Sequence, residues 1–413
     1  AASIPISITI KSATRSRCLS NIFANFFILL DDSIIFNRSC LRYNPKKVTK
    51  KDLISILFLL FAFIFYIFLK HPEALSYSFD QATVDRYLHS QDIEDINDEI
   101  KDRIFVSDSD IYISAGYLYS LGNEPTKYNF QHPPFVKYLY GFSIQLFDNP
   151  FIAQIILGAL FVILTYCLGI NVFKNRFVPL GGSVLLFLDP VFSGMFSEAL
   201  LDLGQATFSL LYLISVLFFP GSYIFQGISL GLFAASKFWS TTIIFIVVLW
   251  GYKLLNKREK FNLKTLTLSL IVAGITFSLT YLKSFINVGG GFNILFFQGR
   301  VLKFMIDHNA ATVIGGPIIL FLTGYLQDWW KGGVSRIMEW TVLWPISFAN
   351  SLYQATKIKK LNLKFFVFLF PIAYLIYLSP QVPFSRYFII VLPYFYLGLA
   401  YIIARVVKKA MVL

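Results

Sequence analysis

Residues 52–69 read Asp52-Leu-Ile-Ser-Ile-Leu-Phe-Leu-Leu-Phe-Ala-Phe-Ile-Phe-Tyr-Ile-Phe-Leu69. The run carries one charge, at its first position, and is long enough to cross the hydrocarbon of a bilayer as a helix. Lys46, Lys47, Lys50 and Lys51 flank its N-terminal end, so the positive-inside rule puts that end in the cytoplasm. The rest of the chain repeats the pattern. Of 413 residues, 56% are apolar, 18% aromatic and 14% charged, against about 25% charged in an ordinary soluble domain. A soluble core cannot absorb so many long apolar runs. A soluble enzyme, a disordered scaffold and a disulfide-stapled secreted domain are excluded. The expectation is an all-α, polytopic integral membrane protein.

Further spans are expected at about 150–171, 177–195, 203–219, 221–236, 238–255, 265–286, 340–356, 364–380 and 386–406. That makes about ten transmembrane helices with both ends inside. Lys174 and Arg176, then Lys253, Lys257, Arg258, Lys260 and Lys264, fall in inner connections. So do Lys357, Lys359, Lys360, Lys364, Arg405, Lys408 and Lys409. Parity then makes the apolar run 311–326 a re-entrant or surface-packed segment in an outer loop, 287–339. Gly289-Gly290-Gly291, Gly315-Gly316-Pro317 and Gly332-Gly333 read as breaks between membrane-surface helices there. No internal repeat is visible, which weakens a transporter built from inverted repeats.

The first outer loop, 70–149, is the one long polar segment, and amphipathic helices are expected in it. It holds 13 of the 23 acidic residues: Glu73, Asp80, Asp85, Asp92, Glu94, Asp95, Asp98, Glu99, Asp102, Asp108, Asp110, Glu124 and Asp148. The net charge of +13 suits cytoplasmic loops and anionic lipid rather than nucleic acid. Cys18, Cys40 and Cys167 form no disulfide framework, and the four histidines are scattered. The first methionine is Met195. Residues 1–45, free of acids over the first thirty and carrying Lys11, Arg15 and Arg17, read as a transit-like or spurious N-terminal segment. The functional domain is expected over 46–409.

Chemistry is sought among charges beside apolar runs. Val106-Ser-Asp108-Ser-Asp110-Ile-Tyr112 places two carboxylates at i and i+2 near a helix end. One can take a proton from a hydroxyl while the other orients substrate or holds a cation. The same residues also suit an acidic helix N-terminus. Asn129-Phe-Gln-His132-Pro133-Pro134-Phe135-Val136-Lys137 follows. Its prolines fix the backbone at a membrane entry, so that His132 and Lys137 can face one polar pocket. Glu198 and Asp202 lie four apart, as if on one helix face. Lys237 interrupts Ala234-Ala235-Ser236-Lys237-Phe238-Trp239, and Arg386 opens the last span after Pro383. A charge at mid-membrane costs about 2.5–3.5 kcal/mol on insertion scales, so each of these needs a reason. Two cations at outer span ends can clamp a lipid-linked phosphate. Snorkelling or a structural ion pair is the alternative for each.

Together these segments resemble the membrane glycosyltransferases of GT-C type that take sugar from a polyprenyl-phosphate carrier, in particular the protein O-mannosyltransferases and aminoarabinose transferases. That family has an acidic pair early in its first outer loop, then a tyrosine and a small residue, then a His-Pro-Pro-Leu-Gly-Lys-like motif. The matching stretches are Asp108-Ser-Asp110-Ile-Tyr112 and His132-Pro133-Pro134-Phe135-Val136-Lys137. Leu200-Leu201-Asp202, Ala235-Ser236-Lys237, and Arg386-Tyr387 with Leu392-Pro393 resemble its later features. Two departures stand out. The family's adjacent Asp-Glu is Asp-Ser-Asp here, and its motif glycine is Val136.

The resemblance implies an inverting single displacement at the outer face; the compartment is the plasma membrane in a prokaryote and the endoplasmic reticulum otherwise, and the first is favoured. The sugar is mannose or a similar hexose, and the acceptor is a hydroxyl of a protein, lipid or glycan. Asp108 is implied as general base, favoured by its spacing to Tyr112, with Asp110 the second candidate. Tyr112, His132, Lys137, Asp202, Lys237 and Arg386 are implied as substrate-binding. The paired aspartates offer part of a ligand set for a divalent cation, without completing one. The partners are the polyprenyl-phosphate sugar, the acceptor and membrane lipid, with no nucleic acid. A lipid-linked sugar flippase is the competing function, and a structural membrane subunit the third. Neither needs a carboxylate pair in a long outer loop.

Overall fold

The computed structural model describes residues 49–91, 105–173, 175–256, 262–287, 292–308, 313–327, 333–358 and 362–411. These belong to one compact unit, Lys46–Leu413. The expectations for residues 1–45, Lys46, Lys47, the acids Asp92 to Asp102, Lys174, Lys257, Arg258, Lys260, the glycines 289–291, Gly332, Lys359 and Lys360 lie outside the described residues.

The chain runs through α1 (Lys50–Lys70), α2 (Pro72–Ser76), α3 (Gln81–Gln91), α4 (Asp108–Ser120), α5 (Phe135–Phe147), α6 (Phe151–Val172), α7 (Phe177–Phe187) and α8 (Pro190–Gly194). It continues through α9 (Leu201–Phe218), α10 (Tyr223–Ala234), α11 (Ser240–Leu255), α12 (Leu263–Leu279), α13 (Leu282–Asn287), α14 (Phe292–His308) and α15 (Gly316–Thr323). A hairpin of β1 (Tyr325–Gln327) and β2 (Val334–Arg336) follows, antiparallel with Tyr325 opposite Arg336. The chain closes with α16 (Leu343–Lys357), α17 (Leu363–Leu378), a 3-10 turn at Ser385–Ile390 and α18 (Leu392–Ala410).

The protein is a polytopic, almost wholly helical membrane protein, as the apolar runs imply. The hairpin is a small exception to all-α. Three described helices, α1, α6 and α9, are long and apolar enough to cross a membrane. Several expected spans are shorter or broken. The run 177–195 stops at Phe187, because Asp189 takes an extended conformation and accepts from the Val191 and Phe192 amides. Pro190 cannot continue the α7 ladder either. Helices α10 and α11 have 12 and 16 residues, which at 1.5 Å per residue is about 18 and 24 Å against a core of about 30 Å. The run 311–326 is not a span. Helix α15 has 8 residues and is closed by Gly315 and Gly324, both at positive φ where glycine is favoured.

A continuous apolar core joins these helices. Phe63 of α1 packs on Phe187, Phe192 and Phe196. Asp189, fully buried, accepts from Trp344 Nε1 at 2.8 Å and from the Tyr396 hydroxyl, so its charge is hydrogen-bonded by α16 and α18. One end of the helix set is basic. Arg176 Nε lies 2.9 Å from Asp52 Oδ1 in the Thr49 capping box of α1. Lys364 lies over Phe173 and Tyr401, and Arg405 over Tyr401.

Candidate active site

Helix α4 begins where Ser107 Oγ accepts the Asp110 amide at 3.1 Å. Asp108 and Asp110 therefore sit in the first turn, where the helix dipole favours negative charge. On a helix, i and i+2 stand about 200° apart and do not face each other. The pair is accordingly divided. Asp108 Oδ2 lies 2.6 Å from Arg386 Nη2. Asp110 lies on the side of Tyr77, whose hydroxyl is pushed above its usual range by burial, Asp110 and Asp80. Between them, buried Ser109 accepts the Ala199 amide at 2.9 Å.

Helices α4 and α5 pack backbone to backbone. A Cβ on Gly116 would run into the Lys137 carbonyl, and one on Gly141 into the Gly116 carbonyl. Val136 is fully buried against α9. A Cβ on Gly204 would stand 2.5 Å from Val136 Cγ2, so the glycine on the facing helix leaves the room that Val136 fills. The Phe135 amide donates to the Ala235 carbonyl at 3.2 Å, which joins the His132-Pro133-Pro134 turn to the α10–α11 connection. Lys137 is fully buried, and Nζ donates to the Asn129 carbonyl (2.8 Å), Asn129 Oδ1 (3.0 Å) and the His132 carbonyl (2.8 Å). Burial pushes its amine well below the usual range. Three acceptors, however, call for three protons, and only the ammonium has them. This geometry holds the charged form.

Asp202 stands in the first turn of α9. The turn is placed by the Leu200 carbonyl, which accepts Tyr140 Oη at 2.7 Å and Gln154 Nε2 at 3.2 Å. One turn on, Gln205 donates to the Phe238 carbonyl at 3.0 Å and fixes the loop that carries Lys237. Lys237 Nζ reaches Asp202 Oδ1 at 2.6 Å and lies over the Tyr387 and Phe238 rings. Arg386 Nε lies 3.9 Å from Asp202 Oδ2, and neither atom has a hydrogen-bond partner among the described residues. The result is an alternating chain, Asp108–Arg386–Asp202–Lys237. Asp202 and Arg386 line a cavity of about 10 Å³ with Gln205, Gln381 and Tyr387, room for about one water. Its outer end is open, since the Asp108 side chain is 44% exposed.

His132 closes one wall, edge-on to Tyr112 at 5.6 Å and Phe238 at 5.0 Å. Its Nδ1 is buried with no partner among the described residues. Burial, then Lys237, Lys137 and Arg386, pushes its pKa well below 6.5, so it meets the site as a neutral ring.

The structure thus gathers Asp108, Tyr112, His132, Asp202, Lys237 and Arg386. Asp110 faces elsewhere, and the donors of Lys137 are spent on its own loop. Glu198 and Asp202 do not share a helix face, because α9 starts at Leu201. No group of three or more His, Cys, Asp or Glu suited to a metal occurs among the described residues. Gly204, Gln205 and Asn129 escaped the sequence reading. Asn129 left a signal: it adopts φ 42°, a region that asparagine tolerates better than most residues.

The arrangement of helices in this chain also occurs in solved structures. Two are similar to this chain. The crystal structure of ArnT from Cupriavidus metallidurans bound to undecaprenyl phosphate superposes with a TM-score of 0.54 at 17% identity. ArnT from the same organism in the apo state gives 0.53 at 14% identity. The chain has the GT-C fold. Each match covers 77% of this chain, which spans 58% of the length of ArnT. No family model and no curated protein sequence matches the chain.

Proposed function

We propose that this GT-C protein is a membrane glycosyltransferase that moves a sugar from a polyprenyl-phosphate carrier to a hydroxyl acceptor. The observation that carries the reading is the chain Asp108–Arg386–Asp202–Lys237. It joins one exposed carboxylate to two cations within a few ångströms. The ArnT structure that holds undecaprenyl phosphate supports a carrier of that class. The site lies away from the basic helix ends, which favours the outer face of the plasma membrane.

In this mechanism Asp108 takes the proton of the acceptor hydroxyl as its oxygen attacks the anomeric carbon. The bond from that carbon to the phosphate oxygen breaks, and the electron pair leaves with polyprenyl phosphate. Arg386 and Lys237 stabilise the charge that grows there. Inversion follows from one displacement. Before donor binds, Asp108 Oδ2 is engaged by Arg386 at 2.6 Å. The donor phosphate competes for Arg386 and releases Asp108, so donor binds first. Asp202 keeps Lys237 charged and in place. Tyr112 and neutral His132 shape the pocket. Lys137 holds the His132 turn rather than the phosphate. Mannose or a similar hexose is the sugar, and the acceptor belongs to a protein, lipid or glycan. A chelator in the assay tests for a divalent cation at Asp108.

The test is sugar transfer by purified protein in detergent, with a panel of polyprenyl-phosphate sugars and a mixed acceptor extract. Wild type should transfer label. Asp108→Asn should lower kcat about 10²- to 10⁴-fold while still binding undecaprenyl phosphate. Near-normal turnover in that variant would remove Asp108 from the base role. Wild type that binds carrier, moves lipid-linked sugar across vesicles and labels no acceptor would favour the flippase.

A further inference from the structure

A second polar cluster lies outside the charge chain, at the end of α1. His71 caps α1 and opens α2, and its ring is buried. Nε2 lies 2.8 Å from Ser193 Oγ. Nδ1 lies 3.2 Å from Ser197 Oγ and 3.3 Å from Glu73 Oε1. Tyr66 Oη donates to the same Ser193 Oγ at 2.7 Å. Each ring nitrogen thus meets a serine hydroxyl, Nε2 at Ser193 and Nδ1 at Ser197 with Glu73 beside it. One imidazole therefore grips two serines four residues apart, and Phe196 between them packs on both His71 and Phe63.

The gripped segment leads straight into the site. Two residues beyond Ser197, the Ala199 amide donates to Ser109 Oγ, next to Asp108. The Leu200 carbonyl accepts from Tyr140 and Gln154, and Asp202 follows in the first turn of α9. The segment 193–200 is thus a strap with His71 at one end and both site carboxylates at the other.

We infer that His71 is a positioning residue of the transfer reaction, holding the strap 193–200 so that Asp108 and Asp202 keep their spacing about Arg386. The inference rests on the transferase reading above. Donor phosphate meets Arg386 and Lys237, which the strap reaches only through Asp108 and Asp202. Loss of His71 therefore acts more on turnover than on donor affinity.

The experiment pairs transfer kinetics with amide exchange on the purified full chain in detergent. His71→Ala should lower kcat about 10- to 100-fold, the size of effect a displacement near 1 Å produces, with the KM for donor within about 2-fold of wild type. His71→Gln, which can still accept from Ser193, should recover kcat to within about 3-fold of wild type. Adding Ser193→Ala to His71→Ala should cost less than Ser193→Ala does alone, since the two variants share the Nε2–Oγ contact. Exchange at Ala199 and at the start of α4 should quicken in His71→Ala and return in His71→Gln. A folded His71→Ala enzyme with wild-type kcat overturns the inference, as does a loss confined to donor KM. Covalent capture of Ser193 by a fluorophosphonate overturns it too, because the trio would then be a nucleophile relay. A wild type that transfers from no donor fails the transferase reading and with it the role in transfer. Exchange at Ala199 then still decides the strap: unchanged exchange in His71→Ala removes it.

Discussion

Lys137 and Lys237 are 0% and 1% exposed, yet their surroundings differ. Lys137 is enclosed by three acceptor oxygens from Asn129 and His132. Every proton is spent, all within nine residues of chain. Lys237 faces one carboxylate oxygen and two ring faces. Among the described residues, its partner Asp202 keeps a second oxygen with no hydrogen bond, beside an equally unpartnered Arg386 Nε. A buried cation whose donors all end within its own loop is a brace. A buried cation in a chain with unspent valences is poised to meet a ligand. The sequence marks both lysines equally, as charges beside apolar runs.

The largest expected effect that separates them comes from methionine at each position. Lys237→Met leaves the buried Asp202 carboxylate undercompensated and should cost about 3–5 kcal/mol of stability. It should also weaken undecaprenyl phosphate binding about tenfold or more, the loss of one charge-assisted contact. Lys137→Met strands buried acceptors and should cost about 1–3 kcal/mol. Carrier affinity per folded molecule should stay near wild type. Binding and thermal unfolding in one detergent measure both. Equal loss of carrier affinity in the two variants would break the contrast.

A smaller effect tests how the Lys137 helix is seated beside Asp202. Gly204→Ala places a methyl 2.5 Å from Val136 Cγ2 and should destabilise by about 1–3 kcal/mol through overpacking. Val136→Ala in the same molecule should return most of that loss. A pair of variants that simply add would show that Val136 and Gly204 do not share one space.

The smallest effect sits between the two lysines. The His132 carbonyl serves Lys137, while its ring is held neutral by burial and by Lys237, Lys137 and Arg386. A folded pKa below the unfolded 6.5 means the unfolded chain takes up the proton first. Stability is therefore full above about pH 6.5 and falls as pH drops below it, by at most about 1.4 kcal/mol per pH unit. His132→Gln should flatten that slope in thermal unfolding between pH 5 and 6.5. An unchanged slope would place the titration in another group.

The acidic pair shows where reading by spacing fails. Asp108-Ser-Asp110 looks like a working pair in one dimension, but Ser107 starts a helix and turns the two carboxylates to different sides. Glu198 and Asp202 fail for the opposite reason, since the helix assumed for them begins only at Leu201. Val136 stands apart from the motif it resembles, and the residue that makes room for it, Gly204, lies 68 positions away. Asp108, Tyr112, His132, Asp202, Lys237 and Arg386 were nevertheless legible as site candidates. Charges within or beside apolar runs cost free energy that an unselected chain would avoid.

What the sequence by itself determined is the solvent and the class of structure. Apolar runs too long and numerous for a soluble core require a membrane. Backbone groups in that membrane must bond within their own helices, which dictates an almost wholly helical chain. What only the tertiary structure decided is which charges meet. Asp108, Asp202, Lys237 and Arg386 come from four separate segments. Their contact depends on close approaches at Gly116, Gly141 and Gly204, and on a strap pinned by His71. Helix periodicity is local and can be read along the chain. The pairing of charges depends on how helices pack across it, and no local pattern carries that distance.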